Sequence, residues 1–262
     1  MTNERVSVFG TSLVHKMRRM NVKALLRLCA SVRRTHDNVE LEMRLGQRSD
    51  TFHSGVPRAV FEQMERDLAG SSDLIAEPNF TELVDYFYTL PRGRNVRTRV
   101  EYDSTRMHVD TNHVEKRSIQ SFVASVSTDP GDTCRVEVSS ETPVESPPQS
   151  TLINYVRVKQ RRAFVDRRDY GDVWRYELSR TWSATSRDAV EFNQHNCEPC
   201  YEIECELVDT SGTYMRDRDD EHISESLHMK MLMLLGYDDA ETQLEISNVK
   251  NCECRGVKRA RH

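Results

Sequence analysis

A chain of 262 residues can bury a core as one large domain or two small ones, and its 37% hydrophobic residues are spread along the whole length, which excludes wholesale disorder. Its 42 acidic residues against 37 lysines and arginines leave a net charge of −5, too close to balance to mark a nucleic-acid binder, so any polyanion contact has to come from local rows of bases. No apolar leader and no apolar run near the ~18 residues of a membrane span occur, which predicts a soluble intracellular protein.

In chain order, Leu13 to Arg34 reads as a helix, with Val14, Met17, Met20, Leu25, Leu28 and Val32 at three- and four-residue spacings between basic residues. Val39 to Gly46 alternates as a strand, Val39, Leu41, Met43 and Leu45 on one face and Glu40, Glu42 and Arg44 on the other. Pro57 to Ala69 reads as a second helix ended by Gly70. From there to about Leu207 the signal is almost wholly strand: Thr81–Leu90, Asn95–Tyr102, a short Arg106–Asp110, His113–Val126, Cys134–Thr142, Asn154–Val165, Val173–Trp182 and Cys200–Val208. Turn-like breaks separate several of them, including Pro91–Arg94, Asp110–Asn112, Asp129–Asp132 and Asp169–Asp172. A helix from Asp219 to Leu235 comes next, capped by Gly236, and then a basic tail, Arg255 to His262, whose default is a frayed end. An unbroken series of eight or nine strands favours one closed or nearly closed antiparallel barrel with flanking helices, an α+β fold that is mainly β.

The seven cysteines fit a reducing compartment. Cys197 and Cys200 form a lone CxxC beside His195, with Cys252 and Cys254 far along the chain. A zinc site needs a second ligand pair, so reduced thiols are the better account.

The polar faces of the strands carry the chemical signal. Glu202, Glu204 and Glu206 stand opposite Tyr201, Ile203, Cys205 and Leu207; Arg157, Lys159 and Arg161 stand opposite Val156, Val158 and Gln160. Arg97, Arg99, Glu101 and Asp103 share one face of their strand, as do Arg135, Glu137, Ser139 and Glu141, and Arg175, Glu177 and Ser179. Rows of one sign are unfavourable on a wet surface, because like charges repel along the strand. Acid rows and base rows pointing into one interior neutralise each other, and can then accept a cation and an anionic ligand. The pattern therefore predicts a polar tunnel with an acidic wall for a divalent ion and basic walls for phosphates.

This combination resembles the metal-dependent RNA triphosphatases of mRNA capping in fungi, protozoa and DNA viruses, members of the triphosphate tunnel metalloenzymes. The motifs in order are Glu40-Leu41-Glu42, Arg157-Val158-Lys159-Gln160-Arg161, Arg175-Tyr176-Glu177-Leu178-Ser179 and Glu202-Ile203-Glu204-Cys205-Glu206. In the third, Glu177 and Ser179 stand where the family has Asp and Thr. The resemblance spans Val39 to Val208 and implies a closed eight-stranded triphosphate tunnel within a single domain covering the whole chain.

It further implies that Glu40, Glu42 and Glu206 bind Mn²⁺ or Mg²⁺, with Glu204 and Glu177 holding the ion's waters and Glu202 a structural partner. Glu141 is then the acid that positions the attacking water, and Arg99, Lys159 and Arg161 contact the γ-phosphate. Arg157 and Arg175 organise the acids and, with Arg97, Lys116 and Ser179, complete the substrate-binding set. Asp85 matches a family aspartate, while Glu115-Lys116-Arg117 leaves the tunnel lysine open by one residue.

The implied reaction converts 5′-triphosphate RNA to 5′-diphosphate RNA and phosphate, with nucleoside triphosphate hydrolysis as a side activity. The implied partners are the triphosphate end of nascent RNA and an RNA guanylyltransferase, in a nuclear monomer or homodimer without a membrane. The same rows would serve tripolyphosphate, thiamine triphosphate or ATP cyclisation. A non-catalytic RNA- or polyphosphate-binding barrel would need the bases but not the two acidic motifs.

Overall fold

Alternation of apolar and charged side chains runs the length of strand after strand, and a sheet with that pattern must hide one face from water and satisfy the charges of the other. The computed structural model describes residues 27, 39–48, 50–77, 81–103, 105–125, 133–148, 150–166, 174–208 and 220–234. Apart from Arg27, the expected helix Leu13–Arg34 lies outside the described residues, as do Cys252, Cys254 and the basic tail.

Among the described residues ten strands form: β1 (Val39–Arg48), β2 (Phe52–Ser54), β3 (Leu74–Ala76), β4 (Thr81–Leu90), β5 (Arg94–Tyr102), β6 (His108–Ser125), β7 (Thr133–Pro143), β8 (Ile153–Asp166), β9 (Trp174–Ala184) and β10 (Cys200–Leu207). The helices among the described residues are α1 (Arg58–Gly70), α2 (Arg187–Asn196) and α3 (Asp220–Leu234). Eight strands pair in the order β10-β9-β8-β4-β5-β6-β7-β1, and β1 pairs back onto β10 to close an antiparallel barrel. The short β2 and β3 are additions, paired to β1 and β8.

The barrel is apolar outside and charged inside. Leu41, Met43, Val136, Val138, Trp174, Tyr176, Ile203 and Cys205 form an outer layer buried beneath Phe61 and Leu68 of α1 and Ile223, Leu227 and Met231 of α3. Two buried bonds fix α3 in place: the Trp174 Nε1–H donates to Ser226 Oγ at 2.9 Å, and Lys230 Nζ donates to Asp166 Oδ2 at 2.8 Å. A second apolar cluster, Val84, Val156, Val158 and Trp182, is covered by Val190 of α2.

One sequence expectation is corrected. Asp110-Thr111-Asn112 is no break: these residues pair with Glu101, Val100 and Arg99 inside the continuous strand β6. The hairpin turn lies earlier, where Asp103 Oδ1 accepts from the Thr105 N–H at 2.8 Å and the Met107 N–H at 2.9 Å, a side chain mimicking a turn. Helix α2 falls between the expected strands Val173–Trp182 and Cys200–Val208, in a stretch for which the sequence signalled no element. It has only Val190 to bury, but Ser186 Oγ caps it by accepting the Ala189 N–H at 3.3 Å, with Asp188 in its first turn and His195 in its last. The small strands β2 and β3 are too short to show a period.

Candidate active site

The charged rows expected from the alternation point into the barrel, except that Asp103 lies past the end of β5 and serves the hairpin turn. Glu40, Glu42 and Arg44 of β1 lie between β7 and β10, in the register Glu42 with Glu206, Arg44 with Glu204 and Glu40 with Ser139. Strand β6 carries a bulge between Ser118 and Gln120. The extra residue reverses the facing of the residues beyond it, so Lys116 points inward while Phe122 reaches the outer core. Arg117, 70% exposed, pairs outside with Glu115, so Lys116 is the tunnel lysine.

One part of the interior is dominated by carboxylates. Lys116 Nζ donates to Glu40 Oε2, lies 3.4 Å from Glu42 Oε2 and is 3.5 Å from Glu141 Oε1. Glu141 also accepts from Arg97 Nη2 at 3.0 Å. Arg175 Nη2 reaches both Glu206 Oε1 and Glu177 Oε1, the latter at 3.0 Å. Burial, and then repulsion by Glu177, pushes the Glu206 carboxyl up to about 8 despite Arg175. Burial raises Glu40 as well, against the pull of Lys116. Glu42 is buried too, yet Arg44 and Lys116 outweigh burial and hold it below the usual carboxylate range.

Elsewhere guanidinium and ammonium groups organise the wall. Asp85 of β4 is fully buried and accepts from Arg99 Nε at 2.7 Å and Arg157 Nη2 at 2.7 Å. Burial alone would raise its carboxyl, but those two cations drive it far below the ordinary value. Lys159 Nζ lies 2.9 Å from Glu204 Oε1 and 3.0 Å from Glu202 Oε2, and Glu202 also accepts from Thr181 Oγ1 at 3.0 Å. Glu204 is buried, but Arg44 and Lys159 hold its carboxyl well below the usual range. Arg161 spans Glu177 Oε1 at 2.9 Å and Glu101 Oε1 at 3.3 Å.

A cavity of about 270 Å³ opens from this interior, lined by Glu42, Arg44, Arg97, Lys116, Arg135, Glu137 and Arg157, with Phe87, Asn95, Val96 and Tyr155 completing its wall. The Nε–H groups of Arg97 and Arg135 are buried without a hydrogen-bond partner among the described residues, as is Ser179 Oγ. Orphaned donors of this kind cost free energy unless an acceptor arrives, and a phosphate supplies several.

The donor chemistry suits a hard divalent cation: all-oxygen carboxylates on adjoining strands, two of them, Glu40 and Glu206, with carboxyls raised by burial and by neighbouring carboxylates. Among the described residues no group of three or more His, Cys, Asp or Glu stands in an ion-holding arrangement, and the carboxylates face Lys116, Arg44 and Arg175 instead. Cys197 and Cys200 are free and exposed.

Comparison with known proteins gives the architecture a precedent. No family model matches the chain, and no curated protein matches its sequence. A solved structure of the S. pombe Pct1 RNA triphosphatase is similar over 95% of both chains at 16% identity, with a TM-score of 0.52. The same protein in complex with the Spt5 CTD matches over 93% of both chains at 16% identity, with a TM-score of 0.53. The fold is shared. The barrel is therefore the triphosphate tunnel fold.

Sequence reasoning named most of the inward residues but passed over several. Arg44, Glu101, Arg135 and Glu137 were visible as members of charged rows without an assigned task, and the alternation that placed their neighbours would have placed them in the wall. Thr81, Phe87 and Tyr155 carry no charge and so gave no signal.

Proposed function

We propose that the chain is an RNA 5′-triphosphatase that releases the γ-phosphate of triphosphate-ended RNA and leaves a 5′-diphosphate end. The observation that carries this reading is the interior of the closed barrel, where rows of acids and bases are interlocked pair by pair beside a cavity rich in bases. Such a wall can exchange partners: the acids take a divalent cation, the bases they release take phosphate oxygens, and no buried charge is left alone. The fold shared with an RNA triphosphatase supports the reading.

Glu40, Glu42 and Glu206 are the residues to hold Mn²⁺ or Mg²⁺, which when bound supplies neutralisation of the charge on the phosphoryl oxygens. Glu141, held by Arg97 and Lys116, orients the attacking water and accepts its proton. Arg99, Lys159 and Arg161 face the equatorial oxygens of the γ-phosphate, and the bond to its bridging oxygen breaks as the water oxygen bonds to phosphorus. Glu177 and Glu204 hold water beside the metal-binding acids, while Arg157 and Arg175 fix Asp85 and Glu206 in place. Ser179 Oγ donates to a phosphate oxygen. In this reading the whole chain is one tunnel domain, monomeric or homodimeric, its substrate the end of nascent RNA and its product the acceptor for an RNA guanylyltransferase, which in a cell means the nucleus.

The test is phosphate release from γ-labelled triphosphate RNA. Glu42→Ala and Arg161→Ala are expected to lose at least about a hundredfold in turnover, the scale of removing one electrostatic contact at a reacting centre. Near-wild-type turnover by either variant, folded by circular dichroism, would overturn the assignment.

A further inference from the structure

The cavity that holds the unpartnered arginine donors has an aromatic side. Phe87 and Tyr155 face each other across β4 and β8 as a registered pair, their rings stacked at 4.1 Å between centroids and 9° between planes. The Arg157 guanidinium lies over the Phe87 ring, 5.3 Å from its centroid, and is itself tied to Asp85 at 2.7 Å. Tyr155 is 39% exposed and Asn95 beside the cavity is exposed too, whereas Glu42, lining the same cavity, is buried. The cavity therefore leads from an exposed aromatic surface to the charged interior.

An aromatic pair whose rings are already in contact leaves no slot between them, so a ligand stacks against the outward surface of Tyr155. At about 270 Å³ the cavity sits just below the ~300–1,000 Å³ of ordinary small-molecule sites, enough for phosphates but not for a whole nucleotide enclosed. A ring joined to those phosphates is then left at the aromatic edge. Resting on the proposed RNA triphosphatase activity, we infer that Tyr155, backed by Phe87, is a stacking platform for the first nucleobase of the RNA, making it a specificity-determining residue that favours nucleotide-bearing substrates over inorganic polyphosphate. Stacking reads a π-face rather than an edge, so the platform accepts any first base and favours purines for their larger area. Asn95 adds an amide within the same wall.

The experiment compares triphosphate-ended RNA with inorganic tripolyphosphate as substrates for wild type, Tyr155→Ala and Tyr155→Trp. The ratio of kcat/KM for RNA to that for tripolyphosphate is expected to fall about tenfold in Tyr155→Ala, mainly through KM for RNA, and to be restored in Tyr155→Trp. Equal losses on both substrates, or no loss, would overturn the inference. A binding measurement separates this from the catalytic reading: the Kd of wild type for a 5′-triphosphate oligoribonucleotide against one with an abasic first residue. Tyr155-dependent preference for the intact base without any phosphate release would sink the enzyme and keep the platform. Turnover without that preference would do the reverse.

Discussion

Asp85 holds two guanidinium groups inside the barrel wall, and among the described residues nothing else accepts from both. Asp85→Ala leaves the half-buried Arg99 and Arg157 beside each other without their shared, fully buried anion. The expected loss is about 3–5 kcal/mol of unfolding free energy, the scale of breaking a buried ion pair, read by urea denaturation. The same residue sets an acid limb. Its carboxyl is depressed in the folded state by Arg99 and Arg157 against the opposing effect of burial, so the folded protein holds fewer protons there than the unfolded chain. Its stabilisation is complete above the unfolded value of about 4 and is lost progressively as pH falls below it. Asp85→Asn should therefore show a flatter decline in stability between about pH 4 and 2 than wild type. Parallel declines would count against the pairing. At this scale the sequence was informative wherever charge alternated: Glu40, Glu42, Arg157, Lys159, Arg161, Glu202, Glu204 and Glu206 all face inward as the period of two required. The register at Lys116 was not legible, because it depends on a bulge that no pattern in Glu115-Lys116-Arg117 announces. The partner of each charge was equally hidden, since Lys159 could not be matched to Glu202 and Glu204 before β8 and β10 were placed on either side of β9.

The elements show why some boundaries were readable and others not. Helix α1 was legible from Pro57 and its apolar spacing, and α3 from the buried series Ile223, Leu227, Met231 and Leu234. The α2 segment has one buried apolar residue and an exposed Phe192, so its helical character rests on capping and on bonds such as Asn193 Nδ2 to the Ser183 carbonyl at 3.3 Å. Ser186→Ala should cost about 1 kcal/mol in thermal unfolding, and an unchanged midpoint would remove the cap from the account. Strand β2 is held against β1 at Gly46, where a Cβ would come within 2.2 Å of the His53 carbonyl oxygen. Gly46→Ala is expected to destabilise by about 1–3 kcal/mol, the range for forced overpacking. Leu227→Ala, beneath which lie the outer faces of the barrel strands, should cost about 2–5 kcal/mol.

On the scale of the whole molecule, the barrel is turned inside out relative to an ordinary β-fold, with helices outside supplying the apolar core and charges filling the middle. That arrangement emerges from the sequence only once the sheet closes, and closure, made by β1 pairing with β10, was an inference from rows of like charge rather than a local signal. The proposed function rests on one exchange: acids leaving lysine and arginine for a divalent ion, bases leaving acids for phosphate. Anything bound only by the folded tunnel raises its stability. Mn²⁺ and tripolyphosphate together should raise the thermal midpoint more than either alone, and chelation should reverse it. The most direct measurement is release of labelled phosphate from γ-labelled triphosphate RNA by the wild-type chain, with Mn²⁺ or Mg²⁺ and with chelator. Release that requires the divalent ion and leaves a diphosphate end is the predicted result; tight RNA binding with no release under any metal would contradict the account.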